Sequence, residues 1–240
     1  MHRRILLFIG CGLLLASCTL PTPPTRPQGQ EVAQSSAMSS VAMMEAEPVD
    51  GAGERAPTTE EFTGTGALTE RLLPSGTLEI GNRDAPLALL LFTEHHCGYC
   101  REFQSDLFPR LREDFLKQGT VRLEIAILPL KKYAGSREAA GALLCAGQQG
   151  KGLAMHEALL KSGNFSEESF LALAKALELD KKTFSSCLVS PETEKLLAEQ
   201  GAWERSLSVN LVPTFFLNGE KLVGLPSYAD LRGRLERALK

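Results

Sequence analysis

The chain has 240 residues, of which 43% are hydrophobic and 23% are charged. This length and composition suit one full domain or two small ones, and they exclude a wholly disordered chain or a multispan membrane protein. The 26 lysine and arginine residues are outnumbered by 29 aspartate and glutamate residues, for a net charge of -3. Such a balance gives no basic stripe for a phosphate backbone, so we expect no nucleic-acid partner.

The N-terminal segment has the pattern of a secretion signal. Arg3 and Arg4 precede an apolar run of roughly eleven residues, which is too short to be a permanent membrane span. The segment that ends at Cys18 resembles a bacterial lipobox, which implies a lipoprotein signal peptide at residues 1–17 and a lipid anchor on Cys18. The alternative is an ordinary signal peptide followed by a chance cysteine. Thr19 follows Cys18, and by resemblance to enterobacterial lipoproteins this favours the outer membrane.

Residues 18–66 have the composition of a tether. They are rich in Pro, Thr, Ser, Gln, Glu and Ala and have neither helical nor strand periodicity. A segment of this kind cannot bury enough apolar surface to fold, and it predicts a disordered linker. The folded domain is therefore expected at residues 67–240.

A strand, a helix and a second strand open the folded domain. The continuous apolar run 87–92 predicts a strand that is buried on both faces of a sheet. Apolar residues recur at helical spacing from Phe103 to Phe115, and residues 121–127 alternate as a second strand. The order predicts a βαβ unit with Cys97 at the N-terminus of its helix.

The following residues, about 134–208, read as an all-helical insertion. The predicted helices are 139–146, 153–160, 166–179 and one that starts at Ser190 and Pro191. The chain then returns to two strands, at 214–217 and 221–223, joined by an Asn-Gly turn and followed by a helix from about Tyr228. The fold class is therefore α/β, with the helical insertion between a βαβ unit and a ββα unit.

Cys97 and Cys100 are spaced as a C-x-x-C pair on the first turn of the predicted helix. The helix N-terminus stabilises a thiolate, so Cys97 is the expected nucleophile and Cys100 the resolving thiol. A structural disulfide or half of a zinc site are the alternatives. His95 and His96 could extend a metal site, although neighbours at a strand end should point in opposite directions. A four-cysteine zinc site would need a second C-x-x-C pair, which the chain lacks.

Three segments together resemble the DsbA-like thioredoxin family of extracytoplasmic disulfide oxidoreductases. They read GNRDAP at 81–86, FTEHHCGYC at 92–100 and VPTFFLNG at 212–219. The resemblance runs from about Gly76 to the C-terminus and is far more specific than the C-x-x-C pair alone. It implies a thioredoxin-like fold and dithiol-disulfide exchange through Cys97 and Cys100, with no bound cofactor.

The resemblance also implies how substrates bind. Pro213 is expected to have a cis peptide bond and to lie against the two sulfurs, with a trans proline at a strand entrance as the alternative. Tyr99, Val212 and Thr214 are expected to border the groove. The implied partners are unfolded or partly folded envelope proteins that contain cysteines, together with an unidentified membrane redox partner.

The direction of electron flow is left open by the motif. Gly98 and Tyr99 match the dipeptide of DsbC-like isomerases, and without the histidine of strongly oxidising DsbA enzymes the couple should be less oxidising. Val212 resembles the oxidase side, and the tether in place of a dimerisation domain favours a monomer. Disulfide formation is slightly favoured over isomerisation or reduction. The rival from another class is a non-enzymatic chaperone or metal-binding lipoprotein with a locked disulfide.

Three further residues have open roles. Glu94, three residues before Cys97, is expected either to relay the proton of Cys100, as buried carboxylates do in thioredoxin-like sites, or to be a solvated carboxylate at a strand end. Cys145 and Cys187 both fall in the helical insertion. In an oxidising compartment they predict a structural disulfide, with two free core thiols or a second redox pair as alternatives.

Overall fold

The computed structural model describes residues 68–240, so the predicted signal peptide, Cys18 and the tether lie outside the described residues. Six strands form one sheet in the order β1-β2-β4-β3-β5-β6. Strands β3 and β4 are parallel, and the other neighbouring pairs are antiparallel. The strands are β1 (Glu70–Leu72), β2 (Leu78–Ile80), β3 (Leu87–Thr93), β4 (Val121–Ile127), β5 (Thr214–Leu217) and β6 (Glu220–Val223).

The first helical region runs from Gly98 to Leu116 in four contiguous segments. These are α1 (Gly98–Glu102), a π-helical turn (Phe103–Leu107), α2 (Phe108–Leu111) and a second π-helical turn (Arg112–Leu116). The remaining helices are α3 (Ser136–Gly147), α4 (Gly152–Ser162), α5 (Glu167–Ala176), α6 (Lys181–Leu188), α7 (Pro191–Ser206) and α8 (Tyr228–Ala238). No helix within residues 68–240 has the length and apolar character needed to cross a bilayer.

The predicted βαβ unit is confirmed. Strand β3 pairs with β4 along its whole length, and its side chains are covered on both sides of the sheet. Leu89 and Leu91 are fully buried in the main core, whereas Phe92 belongs to a second, smaller cluster with Val209 and packs 5.3 Å from the ring of Trp203. Residues from the end of the helical insertion therefore cover the second face of β3.

The helix between β3 and β4 departs from a regular α-helix next to Pro109. Proline has no N–H to donate to the preceding turn, and the residues just before it, Phe103–Leu107, form a π-helical turn. The apolar face predicted from the spacing is nevertheless buried, because Phe103, Leu111 and Phe115 all lie in the core. The proline changes the local winding of the helix and leaves its packing direction intact.

The sequence did not predict three elements of this fold. Strands β1 and β2 have only three residues each, too few for a periodicity to stand out, yet β2 is fully buried beside β4. Helix α6 was also missed, although Asp180 caps it by accepting a hydrogen bond from the backbone N–H of Thr183. The helix predicted at 166–179 ends earlier, at Ala176, and Glu178 has a left-handed backbone.

The C-terminal ββα unit is confirmed and brings the end of the helical insertion to the site. Asn218 and Gly219 both have positive φ, 48° and 81°, as a two-residue type I′ hairpin turn requires. Strand β5 pairs antiparallel with β3, so that Thr214 is opposite Phe92. Because of this register, the residues just before β5 lie beside the segment that follows β3.

Candidate active site

Cys97 is the N-cap of α1, directly after the segment that ends β3. Its backbone is extended, with φ -72° and ψ 121°, and its Sγ accepts a hydrogen bond of 3.2 Å from the backbone N–H of Cys100. Cys97 is partly exposed, whereas Cys100 has 1% of its surface exposed. The two thiols therefore differ in access: only Cys97 can be reached from solvent.

The surroundings of the two sulfurs separate their pKa values. The hydrogen bond from the Cys100 thiol, helped by the backbone N–H groups of Cys100 and Tyr99, lowers the pKa of Cys97 to about 7, against burial and the charge of Glu94. Burial raises the pKa of Cys100 far above that of an ordinary thiol. Near neutral pH, Cys97 is thus substantially a thiolate while Cys100 keeps its proton.

The Val212–Pro213 peptide bond is cis, as expected from the sequence. The carbonyl oxygen of Val212 lies 3.5 Å from the Sγ of Cys97, and the carbonyl of Pro213 accepts a hydrogen bond from Gly224. The sheet register thus brings two segments together that are 115 residues apart. A backbone segment next to the reactive sulfur is available to align an extended chain.

Thr214 occupies a different position from the one expected. Its side chain is fully buried, and its hydroxyl donates a 2.7 Å hydrogen bond to the carbonyl of Leu211. The predicted direct contact between Thr214 and a substrate is therefore corrected to a positioning contact within the loop. Leu211 itself is exposed, and nothing in the sequence apart from its place beside Val212 marked it.

Glu94 is fully buried, which excludes the solvated strand-end carboxylate. Its carboxylate accepts hydrogen bonds from the backbone N–H of His96 at 2.7 Å and from the Ser136 hydroxyl at 2.7 Å, and its Oε1 lies 2.8 Å from Nδ1 of His96. The Ser136 hydroxyl in turn accepts the backbone N–H of Leu130. Glu94 thus connects the segment before Cys97 to the residues that follow β4.

His95 and His96 contact different neighbours. His95 is buried, with its Nε2 3.1 Å from Nδ1 of His156 on α4. The ring of His96 is stacked between Tyr133, at 4.7 Å, and Phe165, at 3.9 Å. Within residues 68–240, no group of three or more His, Cys, Asp or Glu side chains is arranged to hold a metal ion.

A groove with a volume of about 810 Å³ surrounds Cys97. Three segments form its walls: the start of α1, the residues after β4 and the loop that leads to Pro213. Cys97 therefore faces an open groove rather than a closed cavity. The lining residues are Cys97, Gly98, Tyr99, Glu102, Leu130, Lys132, Tyr133, Asn210, Leu211 and Val212.

The second cysteine pair is bonded. Cys145 on α3 and Cys187 on α6 form a disulfide that links two helices of the insertion, and both residues are buried. The hydroxyl of Thr193 lies 3.4 Å from the sulfur of Cys187. The alternative of two free core thiols is thus excluded. Buried sulfurs of this kind are not open to attack by a substrate.

Comparisons with known proteins agree with this geometry. A family model described as Thioredoxin matches residues 74–237. The chain is 24% identical over 189 residues to "Disulfide bond formation protein D" of Bacillus subtilis. The matched region covers 74% of this chain and 83% of the relative. The crystal structure of BdbD from Bacillus subtilis has a TM-score of 0.63 at 21% identity, over 73% of this chain and 99% of that one.

Two further solved structures are similar at higher identity. A thioredoxin-like oxidoreductase from Silicibacter pomeroyi is 28% identical with a TM-score of 0.59, over 67% of this chain and 90% of that one. The catalytic domain of Proteus mirabilis ScsC is 25% identical with a TM-score of 0.58, over 67% and 88%. The fold and the cysteine pair define a thiol-disulfide oxidoreductase. The chain belongs to the thioredoxin family that the family model describes.

Proposed function

We propose that this thiol-disulfide oxidoreductase forms disulfide bonds in secreted and envelope proteins. The observation that carries the proposal is the partly exposed Cys97 sulfur at the start of α1, beside the buried Cys100 thiol. The lowered pKa of Cys97 supplies the thiolate that exchange needs near neutral pH. The relative in Bacillus subtilis, which is named for disulfide bond formation, supports the oxidising direction.

The reaction runs in two exchanges. A client thiolate attacks the Sγ of Cys97 in the Cys97–Cys100 disulfide, a bond forms between client and Cys97, and Cys100 leaves and takes up a proton. A second client thiolate then attacks the client sulfur of this mixed disulfide and releases Cys97 as a thiolate. The client loses two electrons and the cysteine pair gains them. An oxidising partner, which we place in the membrane, takes the electrons and restores the disulfide.

We assign the other residues of the groove to substrate positioning. Val212, whose carbonyl oxygen lies 3.5 Å from the Sγ of Cys97, aligns an extended client, and Pro213 follows it at the groove. Tyr99 borders the groove from α1. The clients are unfolded or partly folded chains with accessible cysteines, because only such chains present a thiol in an extended backbone. We expect the enzyme to act as a monomer.

The location in the cell is also part of the proposal. We infer a signal peptide at residues 1–17, a lipid on Cys18 and a tether at 18–66 that holds the enzyme at the membrane, with the catalytic domain in the periplasm and the outer membrane favoured. The lipobox-like residues before Cys18 and the tether composition support this arrangement.

The redox equilibrium of the Cys97–Cys100 pair with glutathione buffers tests the direction of electron flow. The pKa of Cys97, about 7, is close to the value typical of thioredoxin and above that of DsbA, so we expect a weaker oxidant than DsbA. For disulfide formation, the pair should equilibrate at a potential between about -120 and -180 mV. A potential below about -180 mV would favour the second candidate function, isomerisation or reduction. The Gly98–Tyr99 dipeptide supports this second candidate. A pair that resists exchange would contradict both directions.

The pH dependence of alkylation tests the roles of Cys97 and Glu94. Only the thiolate reacts, so the alkylation rate of reduced Cys97 should rise with pH and level off above a midpoint near pH 7, whereas an ordinary thiol levels off above about 8.5. The charge of Glu94 raises the pKa of Cys97, so we expect Glu94→Gln to lower this midpoint. Glu138→Gln, at an exposed position on α3, is the matched control and should leave the midpoint unchanged.

A proton relay through Glu94 would have a second effect. In the Glu94→Gln variant, resolution of a mixed disulfide by Cys100 should slow, because the carboxylate would no longer accept the proton of that thiol. If the resolution rate matches that of the wild type while the midpoint still falls, Glu94 acts through its charge and its hydrogen bonds to His96 and Ser136. A raised midpoint would contradict the charge effect itself.

A further inference from the structure

Exposed apolar side chains border the groove on two of its walls. Tyr99 on α1 is 65% exposed, and Leu211 in the loop before Pro213 is 64% exposed. Among residues 68–240 there are four large apolar side chains with this degree of exposure, and the other two, Val189 and Val223, do not line the groove. Exposed apolar surface on both sides of a reactive sulfur marks a binding site for an apolar group.

The third wall carries a positive charge. The Nζ atom of Lys132 lies 4.8 Å from the centre of the Tyr133 ring, and this ring is stacked on His96, the residue before Cys97. The cation–π contact favours positions of the ammonium group near this ring, at the edge of the groove. Lys132 is exposed and forms no ion pair with a carboxylate of residues 68–240, and its neighbour Lys131 does not either.

We infer that the groove selects client segments in which the reacting cysteine has an apolar neighbour and an acidic residue on one side. Leu211 and Tyr99 would cover the apolar neighbour, and Lys132 would pair with the acidic side chain. This inference rests on the proposed function and names its substrate class. A charge at the wall of a groove adds specificity, because it attracts a side chain of opposite charge and repels one of the same charge.

Glu102 limits the preference to a single acidic residue. It lines the same groove from α1, carries the opposite charge and is exposed. A second acidic residue close to Glu102 would be repelled, while a basic one would be attracted. The groove therefore fits a segment with an acidic residue on one side of the cysteine better than a segment with acidic residues on both sides.

Short peptide thiols provide the test with the full-length protein. Each peptide holds one cysteine next to leucine and carries aspartate, lysine or serine at the positions two residues before or after it. The second-order rate at which each peptide reduces the Cys97–Cys100 disulfide is measured. In the wild type, an aspartate peptide should react faster than its lysine counterpart in one of the two placements. Lys132→Glu should then lower the aspartate-to-lysine rate ratio about threefold or more.

The aspartate-to-lysine rate ratio of one peptide pair is compared between variants. The intrinsic reactivity of the two peptide thiols is the same in every variant and therefore cancels. Lys195→Glu on α7, at an exposed lysine that does not line the groove, is the matched control and should leave the ratio unchanged. Leu211→Ser should slow the leucine peptides relative to peptides with serine beside the cysteine. If Lys132→Glu leaves the ratio as it is in the wild type, the inferred specificity is overturned. If no thiol, glutathione included, reduces the disulfide, the proposed function fails instead.

Discussion

Replacing Cys97 with serine is expected to abolish thiol-disulfide exchange, lowering the rate by roughly three orders of magnitude or more. Cys97 is the sulfur of the pair that solvent reaches, and its pKa is lowered to about 7, whereas Cys100 is buried with a raised pKa. Cys100 therefore cannot substitute for it as the attacking or attacked sulfur. The measurement is the rate at which the protein oxidises a reduced, unfolded client that contains cysteines.

Cys100→Ser provides the matched comparison, because it removes the other thiol of the same motif. This variant should also lose turnover, but it should keep the reactive Cys97 thiolate and accumulate a mixed disulfide that no resolving thiol can release. Mass spectrometry of the protein after incubation with an oxidised client would detect this adduct. The assignment of the two roles would be reversed if Cys97→Ser formed the stable adduct and Cys100→Ser did not.

Removing the disulfide of the helical insertion is expected to destabilise the domain by about 4 kcal/mol. Cys145 and Cys187 are separated by 42 residues along the chain, and closing a loop of this length lowers the entropy of the unfolded chain accordingly. For a domain of this size, such a loss corresponds to a drop of roughly 8 to 16 °C in the unfolding temperature. Thermal and denaturant unfolding of Cys145→Ala/Cys187→Ala without reductant measures the effect.

The variant Cys97→Ala/Cys100→Ala is the control for this experiment. It also removes two cysteines, but its pair closes only a short loop of four residues, so the unfolding temperature should change clearly less. The double variant at Cys145 and Cys187 should keep its exchange activity at temperatures where it is folded. If the variant without Cys145 and Cys187 is as stable as the wild type, the disulfide does not constrain the unfolded chain as the loop length predicts. Loss of exchange in the folded variant would instead point to a second redox pair.

The elements that the sequence predicted well are those in which one local signal decides the structure. The apolar run of β3 suits a strand that is buried on both faces of a sheet, and the Asn218–Gly219 dipeptide takes the left-handed backbone of a tight hairpin. Ser190 followed by Pro191 marks a helix start, and α7 begins there with Ser190 as its cap. In each case a few adjacent residues contain the required information.

The two strands that were missed depend on distant parts of the chain. Strands β1 and β2 are too short to show a period, and β2 is a strand because β4 supplies its hydrogen bonds. The π-helical turn before Pro109 was not expected, although the proline that disturbs the hydrogen bonding is visible in the sequence. Short strands are thus decided by tertiary contacts, which outweigh weak local preferences, whereas the winding before Pro109 has a local cause.

The candidate site divides in the same way. The spacing of Cys97 and Cys100 and the place of this pair at the start of a helix are properties of the sequence alone, and the cis peptide bond before Pro213 was expected from the family resemblance. The neighbours of Glu94 could not be predicted, because Ser136 is 42 residues away and meets it only through the packing of the helical insertion. The buried position of Thr214 and the exposed position of Leu211 depend equally on how the loop folds.

By itself, the sequence determined the fold class, the order of the two β-containing units and the cysteine pair that defines the enzyme class, since hydrophobic period, turn residues and motif spacing are local properties. Only the tertiary structure decided which side chains surround the reactive sulfur. The Cys97 groove is built from three segments that are far apart in sequence, and its apolar and charged walls meet because the register of β3 with β4 and β5 brings them together. Specificity is therefore a property of packing, whereas the reactive motif is a property of the chain.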